Sequence, residues 1–253
     1  MSEITKGLNE QVAAFRNCSF AQHRYPVLWV DALYEKVRMD GRIVSMAVLV
    51  VCGVDEYGQR HILAVEPMLD ESEDTYLLLF RGLQERGLRT PQLVISDAHS
   101  GLVAAIRKVF SGASWQRCKV HFMRNILACV PHKEKNTFAQ ELKAIWLAPT
   151  REQAYRRAEY LCQQYERHFP KAIRCLEAGL EDSLAFYAFP HLDARKISST
   201  NVLERLNREI RRRTNVVGIF PNPDAYTRLV TTYLMEYAKD WTSSRAYLCE
   251  RSV

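Results

Sequence analysis

The chain has no uninterrupted apolar run long enough to cross a bilayer. Its longest, Ile43 to Val54, falls well short of the ~20 residues that a spanning helix needs and contains Ser45 and Gly53, so it is expected to be a buried strand. The first residues show no cationic start followed by an apolar stretch, which is the pattern of an export signal. Closely spaced cysteine pairs are also missing. The seven cysteines are an odd set lying mostly within apolar runs, which argues against a disulfide framework and for reduced core thiols of a cytoplasmic protein. Internal repeats and low-complexity tracts are absent as well. What remains is a globular chain of 253 residues, 47% hydrophobic, with enough apolar side chains for a substantial core.

The charge is ordinary in amount and uneven in place. Lysine and arginine number 35 against 29 aspartates and glutamates, a net charge of +6. The segment from Arg195 to Asn215 holds seven cations, Arg195, Lys196, Arg205, Arg208, Arg211, Arg212 and Arg213, against two carboxylates, Glu204 and Glu209. Nearly all the excess therefore sits in one short stretch, which favours an anionic partner. At 100° per residue, Val202, Leu206 and Ile210 make an apolar stripe, with Glu204, Arg208 and Arg211 on the opposite side. A carboxylate framed by arginines suits a site that holds a metal and a phosphate backbone together. The same spacing also fits a capping box with Asn201 as N-cap and a surface pair between Glu204 and Arg208.

Along the chain, a helical leader (Ile4, Leu8, Val12 and Phe15 in phase) precedes three extended segments beginning at Val27, Ile43 and Arg60, separated by Asp40-Gly41 and by DEYGQ. Such short turns predict an antiparallel meander. A helix capped by Asp70 or Ser72 and stopped by Gly87 follows, then a fourth strand ending on Asp97, a helix opened by Ser100, and a fifth strand from Ser114 that passes at Cys118 into a helix containing His121. From Lys133 to about Leu180 only helical periodicity is found. The stretch EDSLAFYAFPHLDAR resists helical phase and reads as a return connection, and Asn222-Pro223 opens a last helix.

Asp31 lies inside the first apolar strand, where a charge is costly unless paired or bound to a metal. Asp97 closes the fourth strand, a place that also suits a plain turn residue. In a ribonuclease-H-like arrangement the first and fourth strands are neighbours, so both aspartates would project at one sheet edge and Glu204 would join them from a helix. Three carboxylates suit two divalent cations that activate a hydroxyl and stabilise a leaving oxygen at a phosphodiester, and hard oxygen ligands favour Mg²⁺ or Mn²⁺.

WVDALYEKVR around Asp31, VISDAHSGL around Asp97, CKVH with Cys118 and His121, and NVLERLNREIRRRTNVVGIFPN around Glu204 together resemble the catalytic region of Mutator-like bacterial insertion-sequence transposases, a branch of the DDE superfamily. The resemblance runs from Tyr25 onward. It implies an α/β fold with a ribonuclease-H-like core, a five-stranded mixed sheet with flanking helices, interrupted by an all-helical insertion. The implied division is a leader over 1–25, the first part of the core over 26–130, the insertion over 131–193, and helices completing the core over 194–253. Asp31, Asp97 and Glu204 become the catalytic, metal-binding triad for two Mg²⁺ or Mn²⁺ ions. The resemblance also makes Arg211 the basic residue seven positions after Glu204, and their clustering leads Arg205, Arg208, Arg211, Arg212 and Arg213 to be expected as DNA-binding residues.

Cys118 and His121 match a motif of that branch. Two ligands do not make a zinc site, so they are assigned a positioning role, the alternative being a core thiol and a satisfied helix residue. The implied activity is metal-dependent DNA strand cleavage and transfer by a nucleoid-associated protein, with transposon ends and target as DNA partners and self-association or a full-length transposase as protein partner. Members of that branch carry a large N-terminal region of helix-turn-helix character, whereas here Asp31 comes early. The expectation is therefore an isolated catalytic region, the alternatives being a non-autonomous DNA-binding remnant or inhibitor, or a ribonuclease-H-type nuclease.

Overall fold

The computed structural model describes residues 3–242 and 246–248. The leader's first two residues, and residues 243–245 and 249–253 of the C-terminal portion, lie outside the described residues. Helix α1 (Glu3–Arg16) leads to strands β1 (Val27–Met39), β2 (Arg42–Val54) and β3 (Arg60–Met68). These pair as the antiparallel meander that the turn residues predict. The first turn is tight: Met39 pairs with Arg42, and Asp40 and Gly41 both take positive φ, 49° and 76°, a conformation that Asp and Gly tolerate. In the second, Asp55 Oδ1 accepts the amides of Tyr57 and Gln59, at 2.9 and 2.8 Å.

Helix α2 (Glu73–Glu85) is capped by Ser72, whose side chain accepts the Thr75 amide, and ends before Gly87 at φ 97°. Then come β4 (Leu93–Ser96), α3 (Ser100–Val109), β5 (Ser114–Arg117) and α4 (Lys119–Ala128). The fifth strand stops at Arg117, and Cys118 is already the residue that opens α4. The sheet order is β3-β2-β1-β4-β5, with β1–β4 and β4–β5 parallel.

Between β5 and the return to the sheet the chain is helical: α5 (Lys135–Trp146), α6 (Arg151–Tyr165) and α7 (Pro170–Ser183). The return connection is not wholly irregular, since a 3₁₀ turn, Ala185–Ala188, and a one-turn helix α8 (Ala194–Ile197) interrupt it. These are too short to show a periodicity. Helices α9 (Asn201–Thr214) and α10 (Pro223–Thr242) are the last helices among the described residues, the latter capped by Asn222, whose Oδ1 accepts the Ala225 amide at 2.8 Å.

Alternation along β1 sorts the core into two layers. Leu28 and Val30 pack with Leu49, Val51, Tyr76, Phe80 and Ile106 on the side of α2 and α3. Trp29, Leu33 and Val37 pack on the other side with α4 to α7, α9 and α10, through Phe122, Leu142, Leu176, Leu206 and Tyr226 among others. Because side chains alternate, Asp31 belongs to the second face, between Trp29 and Leu33 and beneath α9. From Met46 to Val54 every β2 residue is buried, as expected of a strand covered on both sides.

The cysteines follow burial less closely than their apolar context predicts. Cys52 and Cys118 are buried, Cys18, Cys162 and Cys175 are half-buried, Cys129 is exposed, and all six are free thiols; Cys249 lies outside the described residues. Among the described residues no helix is long and apolar enough to cross a membrane.

Candidate active site

Asp31 lies just past the segment of β1 that is paired on both sides. It stands opposite Val50 of β2, while β4 pairs with β1 in parallel as far as Trp29 and Ile95. Both aspartates lie two positions beyond that last pair, Asp31 after Trp29 and Asp97 after Ile95. The end of β4 is pinned: Ser96 Oγ donates to the Asp97 carbonyl at 2.7 Å and accepts Trp115 Nε1 at 2.9 Å. Asp97 Oδ1 accepts the His99 amide at 3.3 Å, turning the chain into α3.

Glu204 comes from the first turn of α9, whose Val202, Leu203, Leu206 and Ile210 are buried against the sheet. Thr200, not Asn201, is the N-cap, and it makes no side-chain capping bond. The capping-box alternative is therefore not what forms. Glu204 Oε1 instead lies 3.4 Å from His121 Nε2 and 3.6 Å from an Arg124 guanidinium nitrogen, both on α4. One turn along α9, Asn207 Nδ2 donates to Asp31 Oδ2 at 2.9 Å.

The starts of α4 and α9 are joined through sulfur. Cys118 Sγ accepts the Thr200 amide at 3.3 Å and lies 3.4 Å from the Thr200 hydroxyl. Its interaction with the Cys118 sulfur, against the opposing effect of burial, raises His121 to about 9, with the charges of Asp31 and Glu204 adding to it. The charged form of the imidazole is thereby favoured. Burial works to raise the Cys118 thiol, but the hydrogen bonds and charge of His121 outweigh it and bring the group below its ordinary value.

Asp31, His121, Arg124, Glu204, Asn207, Arg208, Glu209, Arg211 and Arg212 line one cavity of about 560 Å³. Burial raises Asp31 from 3.8 to about 6. The imidazolium of His121 opposes the rise, and the negative charges of Asp97 and Glu204 add to it. Asp97 is thus close enough to act on Asp31 electrostatically, although it does not line the cavity. Among the described residues no three His, Cys, Asp or Glu side chains are grouped tightly enough to grip an ion as they stand. The donor chemistry nevertheless fits a hard cation. Glu204 Oε1 and Asn207 Oδ1 are buried without a hydrogen bond, and Asp31 carries a charge that burial disfavours. Oxygens of this kind are what Mg²⁺ or Mn²⁺ satisfies.

The five arginines predicted as a DNA-binding set part company. Arg208, Arg211 and Arg212 face the cavity, and Arg212 also pairs with Glu209 at 3.2 Å. Arg205 points to another recess, shared with Arg60, Lys196, Trp241 and Tyr247. Arg213 lies 4.2 Å above the ring of Tyr233 on α10. Two site residues, Asn207 and Arg124, escape the sequence reading. For Asn207 a signal existed, since it sits three residues after Glu204 on the same helical face; for Arg124 there was none beyond its position one turn after His121.

The chain is similar to known proteins over nearly its whole length. The chain is 38% identical over 251 residues to the transposase for insertion sequence element IS256 in transposon Tn4001 of Staphylococcus aureus, covering 98% of this chain and 64% of that protein. It is 40% identical over 250 residues to the transposase for ISRM5 of Rhizobium meliloti, covering 98% and 62%. It is 39% identical over 248 residues to the transposase for IS1081 of Mycobacterium tuberculosis, covering 98% and 60%. The chain thus spans rather less than two thirds of the length of these relatives. The sequence pattern of the family described as "Transposase, Mutator family" matches residues 1–244, and the chain belongs to that family.

Proposed function

We propose that this chain carries the DNA strand-cleavage and strand-transfer chemistry of an insertion-sequence transposase. In this reading residues 26–130 and 194–253 build a ribonuclease-H-like catalytic core, residues 131–193 are a helical insertion, and residues 1–25 are a leader. Asp31, Asp97 and Glu204 are the DDE carboxylates and hold two Mg²⁺ or Mn²⁺ ions. When bound, such ions would polarise the phosphodiester and lower the pKa of the attacking hydroxyl.

The observation that carries the reading is the buried carboxylate of Asp31, raised to about 6 mainly by burial, with His121 opposing the rise and the charges of Asp97 and Glu204 adding to it. Supporting it, the charges of Asp97 and Glu204, from distant parts of the sequence, both act on Asp31, and Arg208, Arg211 and Arg212 line the same cavity as Asp31 and Glu204. The chain's own residues do the rest. Arg208, Arg211 and Arg212 give the cavity the positive charge to hold phosphates. Asn207 orients Asp31 through its amide. His121 Nε2 faces Glu204 Oε1 at 3.4 Å, while the Cys118–Thr200 link holds the start of α4 against the start of α9.

The test is strand cleavage and joining on DNA carrying the element's ends, with Mg²⁺ or Mn²⁺. Asp31→Asn, Asp97→Asn and Glu204→Gln are each expected to reduce the reaction to background without loss of folding. Full activity in any of them removes that residue from the set.

A further inference from the structure

Beyond the catalytic cavity, α9 runs out into an unusual surface. Val216, Val217 and Ile219 are 86%, 44% and 40% exposed, three large apolar side chains within four residues, separated from Arg211, Arg212 and Arg213 by Thr214 and Asn215. Their backbone is firmly held. The Val217 amide bonds back to the Thr214 carbonyl at 2.9 Å, and the Ile219 amide bonds to the Val217 carbonyl at 2.9 Å around Gly218, whose φ is 71°, a three-residue turn that needs positive φ. Phe220 then inserts into the core, 3% exposed, and bridges to β1: its amide bonds to the Lys36 carbonyl at 2.9 Å and its carbonyl accepts the Arg38 amide at 2.8 Å. On the near side, Thr214 Oγ1 donates to Glu35 at 2.6 Å.

Exposed apolar groups on a pinned turn ask for an occupant, and the surroundings say which. Arg211 and Arg212 flank the tip on the α9 side, and Arg38 and Arg42 lie on the end of the β1–β2 hairpin that the turn bridges to; all four are exposed. Of the carboxylates nearby, Glu35 is engaged by Thr214 and Glu209 by Arg212, and Asp40 sits in the hairpin turn. An apolar protein partner would have to strip water from these guanidinium groups without compensation. Duplex DNA offers phosphates to the cations and base faces to the apolar tip.

We propose that Val216, Val217 and Ile219 form a wedge that enters a base step of the bound duplex and unstacks it, while Arg211 and Arg212 hold the neighbouring phosphates beside the catalytic cavity. This rests on the reading of the chain as a DNA-processing enzyme. The wedge enters most easily at a pyrimidine–purine step, which is the most deformable.

The experiment uses duplexes with 2-aminopurine at a TA step, whose fluorescence rises on unstacking, with binding followed independently by anisotropy. Binding of the wild-type chain is expected to raise the fluorescence severalfold. The V216S/V217S/I219S variant, altered only at exposed positions and checked by circular dichroism and melting temperature, is expected to bind the same DNA and lose the rise. Bound DNA with unchanged 2-aminopurine fluorescence, or a rise that survives in the variant, overturns the wedge and leaves the proposed chemistry standing. A wild-type dimer that the variant dissociates in sedimentation velocity also overturns it, since a second copy would then cover the tip. A chain that binds no duplex at all overturns both.

Discussion

The Asn207 amide donates a 2.9 Å hydrogen bond to Oδ2 of Asp31, linking residues 176 apart in sequence, and leaves its own Oδ1 buried without a partner. The bond favours the ionised carboxylate at a place where burial favours the protonated one. Asn207→Ala is therefore expected to push Asp31 above its value of about 6 and to move Mn²⁺ binding to higher pH, since protons and metal compete for the same oxygens. Titration calorimetry with Mn²⁺ across the range from about pH 5.5 to 8 checks this. An unchanged pH profile would leave Asn207 as packing only.

Asp31 itself yields a stability prediction. Burial raises it from 3.8 to about 6 in the metal-free protein. For an acid raised on folding, the protonated folded form carries no penalty. The penalty begins as the unfolded chain ionises near 3.8 and is complete above about 6. Asp31→Asn is expected to stabilise the metal-free chain by roughly 1–2 kcal/mol above about pH 7, after discounting for partial exposure, with no gain below about pH 4. Chemical denaturation at several pH values measures it. Adding Mn²⁺ is expected to reverse the order by stabilising only the wild type.

Cys118 and His121 make a prediction that a merely structural role would not. The interaction with sulfur is the largest cause of the His121 value of about 9. Cys118→Ala removes it and is expected to return His121 toward 6.5, burial lowering it and the charges of Asp31 and Glu204 opposing that. Histidine ring shifts followed by NMR through the titration report this. A His121 that still titrates near 9 in the variant would place the cause in Asp31 and Glu204 instead.

Much of this arrangement was legible because it is local. The period of α9 separates Glu204 from the Val202, Leu206 and Ile210 stripe, the Asp40-Gly41 pair marks a hairpin, and a lone Asp inside an apolar strand announces a cost that something must offset. The parts that were not legible depend on contacts between distant segments. Thr200 meets Cys118 across 82 residues, and this contact, not the N-cap preference of Asn201, fixes where α9 begins. Arg205 and Arg213 carry the same charge as Arg208, yet their direction is decided by Trp241, Tyr247 and Tyr233, which come from or follow α10.

The split among the arginines can be measured directly. Arg208 and Arg211 face the cavity, whereas Arg213 rests on the Tyr233 ring at 4.2 Å. If cavity arginines meet phosphates, Arg208→Ala and Arg211→Ala each lower the slope of log affinity against log salt by about one, to a similar extent on unrelated DNA sequences. Arg213→Ala is expected to leave that slope unchanged and to cost about 0.5–1 kcal/mol of folding stability, the loss of an exposed cation–π contact. Arg212, already paired with Glu209 at 3.2 Å, should fall between, because binding a phosphate there competes with an existing partner. Affinity measurements over a salt series, together with denaturation of the same variants, separate the two kinds of arginine. A full unit of slope lost with Arg213→Ala would mean that the aromatic stack opens on DNA and that all of α9's last turn belongs to the interface.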